Sequence, residues 1–318
     1  SGDFAKDVIS FILIVGLTVV NIFGVNVSKF VNNLITISKL VPLTLFIAIG
    51  IFFINGANFT PVFPQDTYVD GSFAQAAVLL FFAYTGFEVI AIAAEDMKNP
   101  KKNLPRAIIM CMLLVSVLYM AILAVSIGVL GTDLANTKAP VQDAFNVIVG
   151  PIGMYIVLIG TLISMGGINF AEAYYAPRVA TSMAEDGMLP SALAKRNRYN
   201  APYVAAIVTA IASVLLAWSG SFTTLAAISA VSRFTQYLPT CLAVIIFRRK
   251  WADKARSYTI PGGYLIPVIA IGTSLWMLAQ AQTNQLLWGL GGCIVILPFY
   301  YSYWKKKKAG LIKGHDEM

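Results

Sequence analysis

Nine apolar runs of membrane-spanning length constrain this chain more than anything else it carries. They fall near residues 8–25, 33–54, 73–94, 107–130, 152–180, 202–218, 222–247, 264–281 and 286–304. Crossing a hydrocarbon layer of about 30 Å takes about 20 apolar residues in a helix. Inside that layer backbone N–H and C=O groups have no water to pair with, so each segment must close its own hydrogen bonds. The expectation is an all-α integral membrane protein with nine transmembrane helices. Composition points the same way: 58% of the 318 residues are hydrophobic and 12% charged, with a mean hydropathy of +0.74. A soluble domain of this size has no interior large enough to hide so much apolar surface.

The composition also narrows the function classes. Cys111, Cys241 and Cys293 each lie inside an apolar run, without CxxC or Cys/His ligand spacing, so neither disulfides nor structural zinc is expected. The single histidine, His315, sits in the polar tail HDEM, which leaves the body of the chain without a His-based acid or base. An enzyme is not expected, nor a cofactor. No GxxxxGK[ST] sequence is present, so direct use of ATP has no support. The chain opens SGDFAKDV, with no initiator Met and no basic n-region, and is expected to be a segment of something longer without a signal peptide.

A net charge of +8 would suggest nucleic acid as a partner in a soluble protein, but here its distribution follows the membrane. With nine spans, one face holds the N-terminus and the loops at 55–72 and 131–150, where only Lys6 and Lys138 occur. The other face holds eighteen Lys and Arg residues, among them Lys98, Lys101, Lys102, Arg106, Arg248, Arg249 and the run Lys305 to Lys308. The positive-inside rule then puts residue 1 outside and the basic tail in the cytoplasm of a multi-pass cell-membrane protein. The partner is the lipid bilayer, and no nucleic acid is expected. Asp66, Asp70, Asp133 and Asp143 fall on the outer loops and read as solvated connections. Asn58-Phe59-Thr60 matches a glycosylation acceptor, but Pro61 follows and a three-residue pattern is common by chance.

Within the third run, FFAYTGFE at 81–88 places a flexible glycine and a carboxylate in an otherwise apolar segment. An ionisable group at bilayer depth costs about 2.5–3.5 kcal/mol on insertion scales, which makes Glu88 a functional-site candidate. Interrupted hydrophobic segments are also the best sequence pointer to a transporter's binding site. The bland alternative is a kinked helix whose Glu is neutral and hydrogen-bonded to its neighbours.

FFAYTGFE, followed by IAAEDMKNPKKNLPRAI at 92–108, resembles the sixth helix and following cytoplasmic loop of amino acid permeases of the amino acid–polyamine–organocation superfamily. NIFGVNVSKFVNNLITISKLVPL at 21–43 resembles the fourth-to-fifth helix region, and PRVATSMAEDGMLP at 177–190 the end of the eighth. The resemblance implies a LeuT-type helix bundle in which the nine spans match helices 4–12 of twelve, with a broken helix near 84–87. On that register, residues 1–54 are the last two helices of the first inverted repeat and 73–247 the second repeat. Residues 264–304 are two C-terminal helices and 305–318 a cytoplasmic tail, all within one transporter domain. The first three helices, including the Gly-rich unwound segment that holds the substrate carboxylate in the family, have no counterpart here. The chain by itself is therefore expected to be incompetent for transport.

In broken-helix transporters, freed carbonyls bind the substrate amine and half-helix N-termini attract its carboxylate. The resemblance implies that Phe82, Ala83 and Thr85 offer backbone oxygens, that Tyr84 and Gly86 shape the unwound turn, and that the Phe82 ring gates the site. The competing reading is ordinary helix packing. Glu88 takes part in gating or proton coupling on the resemblance, or is a plain helix N-cap. Lys39 either snorkels to the interface or, in the SKLVPL segment, puts its ammonium where sodium sits in relatives and drives the cycle by protonation.

Arg233, near the middle of span 222–247, needs a partner, and Glu172 or Glu88 would supply it. Its functional alternative is contact with a substrate side-chain carboxylate. The function expected is secondary active amino acid transport by alternating access, proton-coupled or by exchange with a counter-transported amino acid. The alternatives are an acidic amino acid or polyamine permease, and a non-transporting membrane subunit or sensor.

Overall fold

A computed structural model describes residues 2–23, 29–60, 72–88, 90, 97–253, 256 and 258–308. Ten α-helices occur among them: α1 (Gly2–Ile22), α2 (Lys29–Gly50), α3 (Ser72–Ala83), α4 (Pro100–Leu130), α5 (Pro140–Val149), α6 (Pro151–Glu185), α7 (Tyr203–Ser219), α8 (Phe222–Lys250), α9 (Leu265–Gln280) and α10 (Thr283–Lys308). Each of the nine apolar runs contributes one of them. By length and composition α1, α2, α4, α6, α8 and α10 suffice to cross a membrane, while α3, α7 and α9 are shorter apolar helices. The fold is all-α and of the LeuT type.

The third run does not form one helix. α3 stops at Ala83, a turn covers Tyr84 to Gly86, and the second half of the run, Val89 and 91–96, lies outside the described residues. The basic tail beyond Lys308, with His315, and the aspartates at 66 and 70 also lie outside them.

The connection at 131–150, expected to be a solvated loop, folds into a 3-10 turn at Gly131–Asn136 and the helix α5. Pro140 starts α5, where its missing N–H costs nothing, and Gly150, at φ +79, ends it. One face of α5 is apolar, so Ala144 and Phe145 are buried. Asp143 is half-buried and accepts a hydrogen bond from the Thr137 hydroxyl, which corrects its reading as a freely solvated residue. Asn58, the glycosylation candidate, donates its side-chain amide to the Gly128 carbonyl at 2.8 Å and is thereby committed to the fold.

The chain divides into two compact units. One comprises Ser1–Val62, Ala121–Gly220 and Ile296–Met318, the other Phe63–Met120 and Ser221–Val295. In the first, α6 packs against α1, α2, α5 and α7. Its core is Phe46, Val125, Ala144, Phe145 and Val157, with the Phe46 and Phe145 rings edge to face at 5.7 Å.

Helices in lipid gain little from apolar burial against one another, so close backbone approach through small residues must supply the contact. Gly153, Gly160 and Gly167, seven residues apart on α6, provide it. A Cβ on Gly160 would lie 2.5 Å from the Pro42 ring and 2.8 Å from the Ser38 carbonyl, and one on Gly167 2.4 Å from Ile35. Pro42, having no N–H, leaves that Ser38 carbonyl without its helical partner, at the place where α6 comes nearest.

In the second unit α3 packs on α8 and α9, and α8 on α9. Val78, Ala227 and Ala230 are buried there beneath Leu79, Phe81 and Phe82. α8 is well terminated at both ends. The Ser221 hydroxyl accepts the Thr224 N–H at 3.3 Å as an N-cap, and Arg248, Arg249 and Lys250 fill the last turn, where the helix dipole favours cations. The basic run thus has a local structural role besides orientation.

Candidate functional site

The break begins where α3 tightens. Tyr84 N donates to the Phe81 carbonyl at 3.0 Å and Thr85 N to that of Phe82 at 3.1 Å, which are i to i+3 bonds of a closing turn. The Thr85 hydroxyl also donates to the Phe82 carbonyl at 2.7 Å. Gly86 then adopts φ +104, a conformation that L side chains rarely take, and the helix cannot continue.

Beyond the glycine, Phe87 and Glu88 are 3-10 positions. Glu88 accepts the Gly86 N–H on Oε2 at 2.9 Å and the Tyr237 hydroxyl on the same oxygen at 3.2 Å. Its Oε1 forms an ion pair with the Arg233 guanidinium. Arg233 and Tyr237 are four residues apart and share one face of α8, so a single helix surface grips the carboxylate twice. The Glu88 side chain is 15% exposed and that of Arg233 32%.

Two further elements hold the turn. The Tyr119 hydroxyl, on α4, donates to the Ala83 carbonyl at 3.1 Å while its ring meets that of Tyr84 edge to face at 5.3 Å. Around the break the aromatic rings pair: Phe81 stacks on Phe234 at 4.7 Å, Phe87 on Tyr237 at 5.8 Å, and Phe82 meets Phe222 edge to face at 6.1 Å.

Of the three carbonyls offered to a substrate amine, Phe82 accepts two bonds from Thr85 and Ala83 one from Tyr119, while Thr85 accepts none among the described residues. A carbonyl has two lone pairs, so Ala83 and Thr85 keep acceptor capacity. A cavity of about 180 Å³ lies on the α3 face that carries Gln75, Val78 and Leu79, with Thr223, Thr224 and Ala227 of α8 and Gln280, Gln282 and Gln285 around it. Phe82 follows Gln75, Val78 and Leu79 at helical spacing on that face.

A family model described as amino acid permease matches residues 3–303, nearly the whole chain. The chain belongs to the amino acid permease family. It is 29% identical over 304 residues to the branched-chain amino acid permease BcaP of Bacillus subtilis, covering 93% of this chain and 64% of that protein. It is 29% identical over 300 residues to the methylthioribose transporter of the same organism, with the same coverage, and 29% identical over 316 residues to its serine/threonine exchanger SteT, covering 97% and 72%. The chain thus spans somewhat less than two thirds of the first two relatives.

In this permease the remaining candidates belong to the first unit. Lys39 is half-buried in α2 of the first unit, one turn before Pro42, and is in no ion pair among the described residues. Glu172 is exposed on α6 and likewise forms no ion pair among them. Of the two carboxylates suggested for Arg233, the structure joins Glu88 and not Glu172 to it. Glu88 and Arg233 belong to the second unit, where α3 packs on α8, whereas Glu172 belongs to the first. Arg178 places its guanidinium 3.3 Å from the centre of the Tyr174 ring and donates to that residue's carbonyl at 2.8 Å.

Tyr119 and Tyr237 were not legible in the sequence as site residues. Tyr237 carries a weak signal, four residues after an intramembrane arginine, whereas Tyr119 is one aromatic in an apolar helix and nothing in its spacing marks it. Among the described residues no cluster of His, Cys, Asp or Glu could hold a metal ion.

Proposed function

We propose that this permease is the greater part of a secondary active amino acid transporter that works by alternating access in the cell membrane. The observation that carries the reading is the break in the second unit, where a left-handed glycine, two hydrogen-bonded tyrosines and an ion pair hold non-helical backbone open in an apolar surround. Non-helical backbone at membrane depth is tolerated where it lines a cavity or is buried in protein. On this reading Ala83 and Thr85 present carbonyl oxygens to the substrate ammonium, Phe82 closes over it, and Tyr84 and Gly86 set the shape of the turn.

Glu88 couples that turn to α8, because the oxygen that caps Gly86 belongs to the carboxylate that pairs with Arg233. Lys39 serves as the ammonium in place of a coupling sodium. The energy source is a proton gradient or exchange against a second amino acid, the latter in keeping with SteT being named an exchanger. The two-repeat organisation, residue 1 outside and a cytoplasmic basic tail complete the proposal.

Counterflow of a panel of labelled amino acids in liposomes holding the full-length protein, at two pH values, tests it. Saturable uptake with trans-stimulation is expected. Currents at channel rates, or amino acid binding without any flux, would overturn it in favour of a channel or a sensor.

A further inference from the structure

We infer that the break selects amino acids with uncharged, apolar side chains, and that the Glu88–Arg233 pair is the element that sets this preference. The inference rests on the transport reading above and concerns which substrates that site accepts. Apart from the basic last turn of α8, Glu88 and Arg233 are the only charged residues among the described residues of α3, the turn and α8. Each is consumed by the other. Glu88 gives one oxygen to Arg233 and the second to Gly86 and Tyr237, and it is largely withdrawn from solvent.

A substrate carboxylate reaching for Arg233 would have to displace Glu88 and strand a desolvated anion. A substrate ammonium reaching for Glu88 would leave the guanidinium, 32% exposed, without its anion. Breaking a partly buried pair by removing one partner costs more than leaving it intact, most of all on the carboxylate side, so both acidic and basic side chains are rejected by the same contact.

The surroundings favour what remains. The end of α3 and the turn carry the rings of Phe81, Phe82, Tyr84 and Phe87, each paired with a ring of α4 or α8. The cavity on the Phe82 face of α3 carries no charge at all, only four glutamines and two threonines over an apolar floor of Val78, Leu79 and Ala227. It would hydrate a neutral solute's polar groups without attracting an ion of either sign.

The test is competition by leucine, phenylalanine, glutamate and lysine for binding to the full-length detergent-solubilised protein, run beside liposome uptake of the same four. In the wild type, leucine or phenylalanine should compete at least about tenfold better than glutamate or lysine. Glu88→Gln frees Arg233 and should raise glutamate relative to leucine by about tenfold or more, and Arg233→Gln should do the same for lysine.

Glutamate or lysine equalling leucine in the wild type overturns the inference, as does an unchanged preference in a folded Glu88→Gln protein. If the variants do not fold, the wild-type panel decides alone. Uptake confined to charged amino acids overturns this inference and leaves the transport reading intact. Selective leucine binding without flux does the reverse, and binding of none of the four overturns the inference.

Discussion

Replacing Gly86 by alanine separates backbone conformation from contact at the break, because a Cβ added there meets no atom within 4 Å. No steric clash enters the reckoning. What remains is the φ of +104, which an alanine pays for with about 1–3 kcal/mol. Loss of glycine's freedom in the unfolded chain returns about 0.4–1 kcal/mol. The net cost of keeping the turn is then about 0–2.6 kcal/mol, with a midpoint of about 1.3 kcal/mol. A binding-competent state that requires the turn should lose about tenfold in substrate affinity at that midpoint, since 1.4 kcal/mol is a factor of ten.

The control is Gly166→Ala in α6, where an added Cβ also meets nothing within 4 Å but the backbone is helical and φ is not positive. There alanine should stabilise by up to about 1 kcal/mol, through helix propensity. The assay is equilibrium binding of a transported amino acid to the detergent-solubilised full-length protein, with thermal unfolding beside it. Wild-type affinity in Gly86→Ala, or an equal loss in Gly166→Ala, would refute the claim that the left-handed turn shapes the site.

Two further outcomes follow from particular contacts. Tyr119→Phe keeps the ring against Tyr84 but removes the 3.1 Å bond to the Ala83 carbonyl, so substrate affinity should fall by about three- to tenfold, the equivalent of about 0.5–1.5 kcal/mol. Tyr119→Leu should be worse, and equal affinity in Tyr119→Phe and wild type would show that the hydroxyl does not position the break. Gly160→Ala drives a Cβ to 2.5 Å from Pro42 and should cost about 1–3 kcal/mol of stability, read as a lower thermal midpoint. An unchanged midpoint would mean that α2 and α6 can part without loss.

Hydrophobic length alone located the nine apolar runs, each of which contributes a helix among the described residues, six of them long and apolar enough to cross a membrane. The glycine and carboxylate of FFAYTGFE marked the break for a related reason, both being poor residues for a lipid-embedded helix. α5 escaped notice because ten residues of mixed polarity between Pro140 and Gly150 are too short to stand out from a loop. Only packing of Ala144 and Phe145 into the core of the first unit shows why they form a helix.

At the site, sequence supplied the candidates without their pairings. Arg233 had to find an anion, but two glutamates stood open to it, separated from it along the chain by 61 and 145 residues. That choice depends on which helices pack together, α3 on α8 in the second unit while Glu172 lies in the first, a property that no residue count contains. Tyr119 was silent, and Tyr237 nearly so, for the same reason: a tyrosine's hydroxyl acquires a role only when another helix brings a carbonyl or carboxylate within hydrogen-bond reach.

What the amino-acid sequence determined by itself was therefore the medium, the class of fold and the position of its weak point, because each follows from local polarity counted along one segment. What only the tertiary structure decided was which residues meet at that weak point. Packing of α3 and α8 joins Glu88 to Arg233, a partnership the sequence could not single out, because the pairing depends on which helices come together.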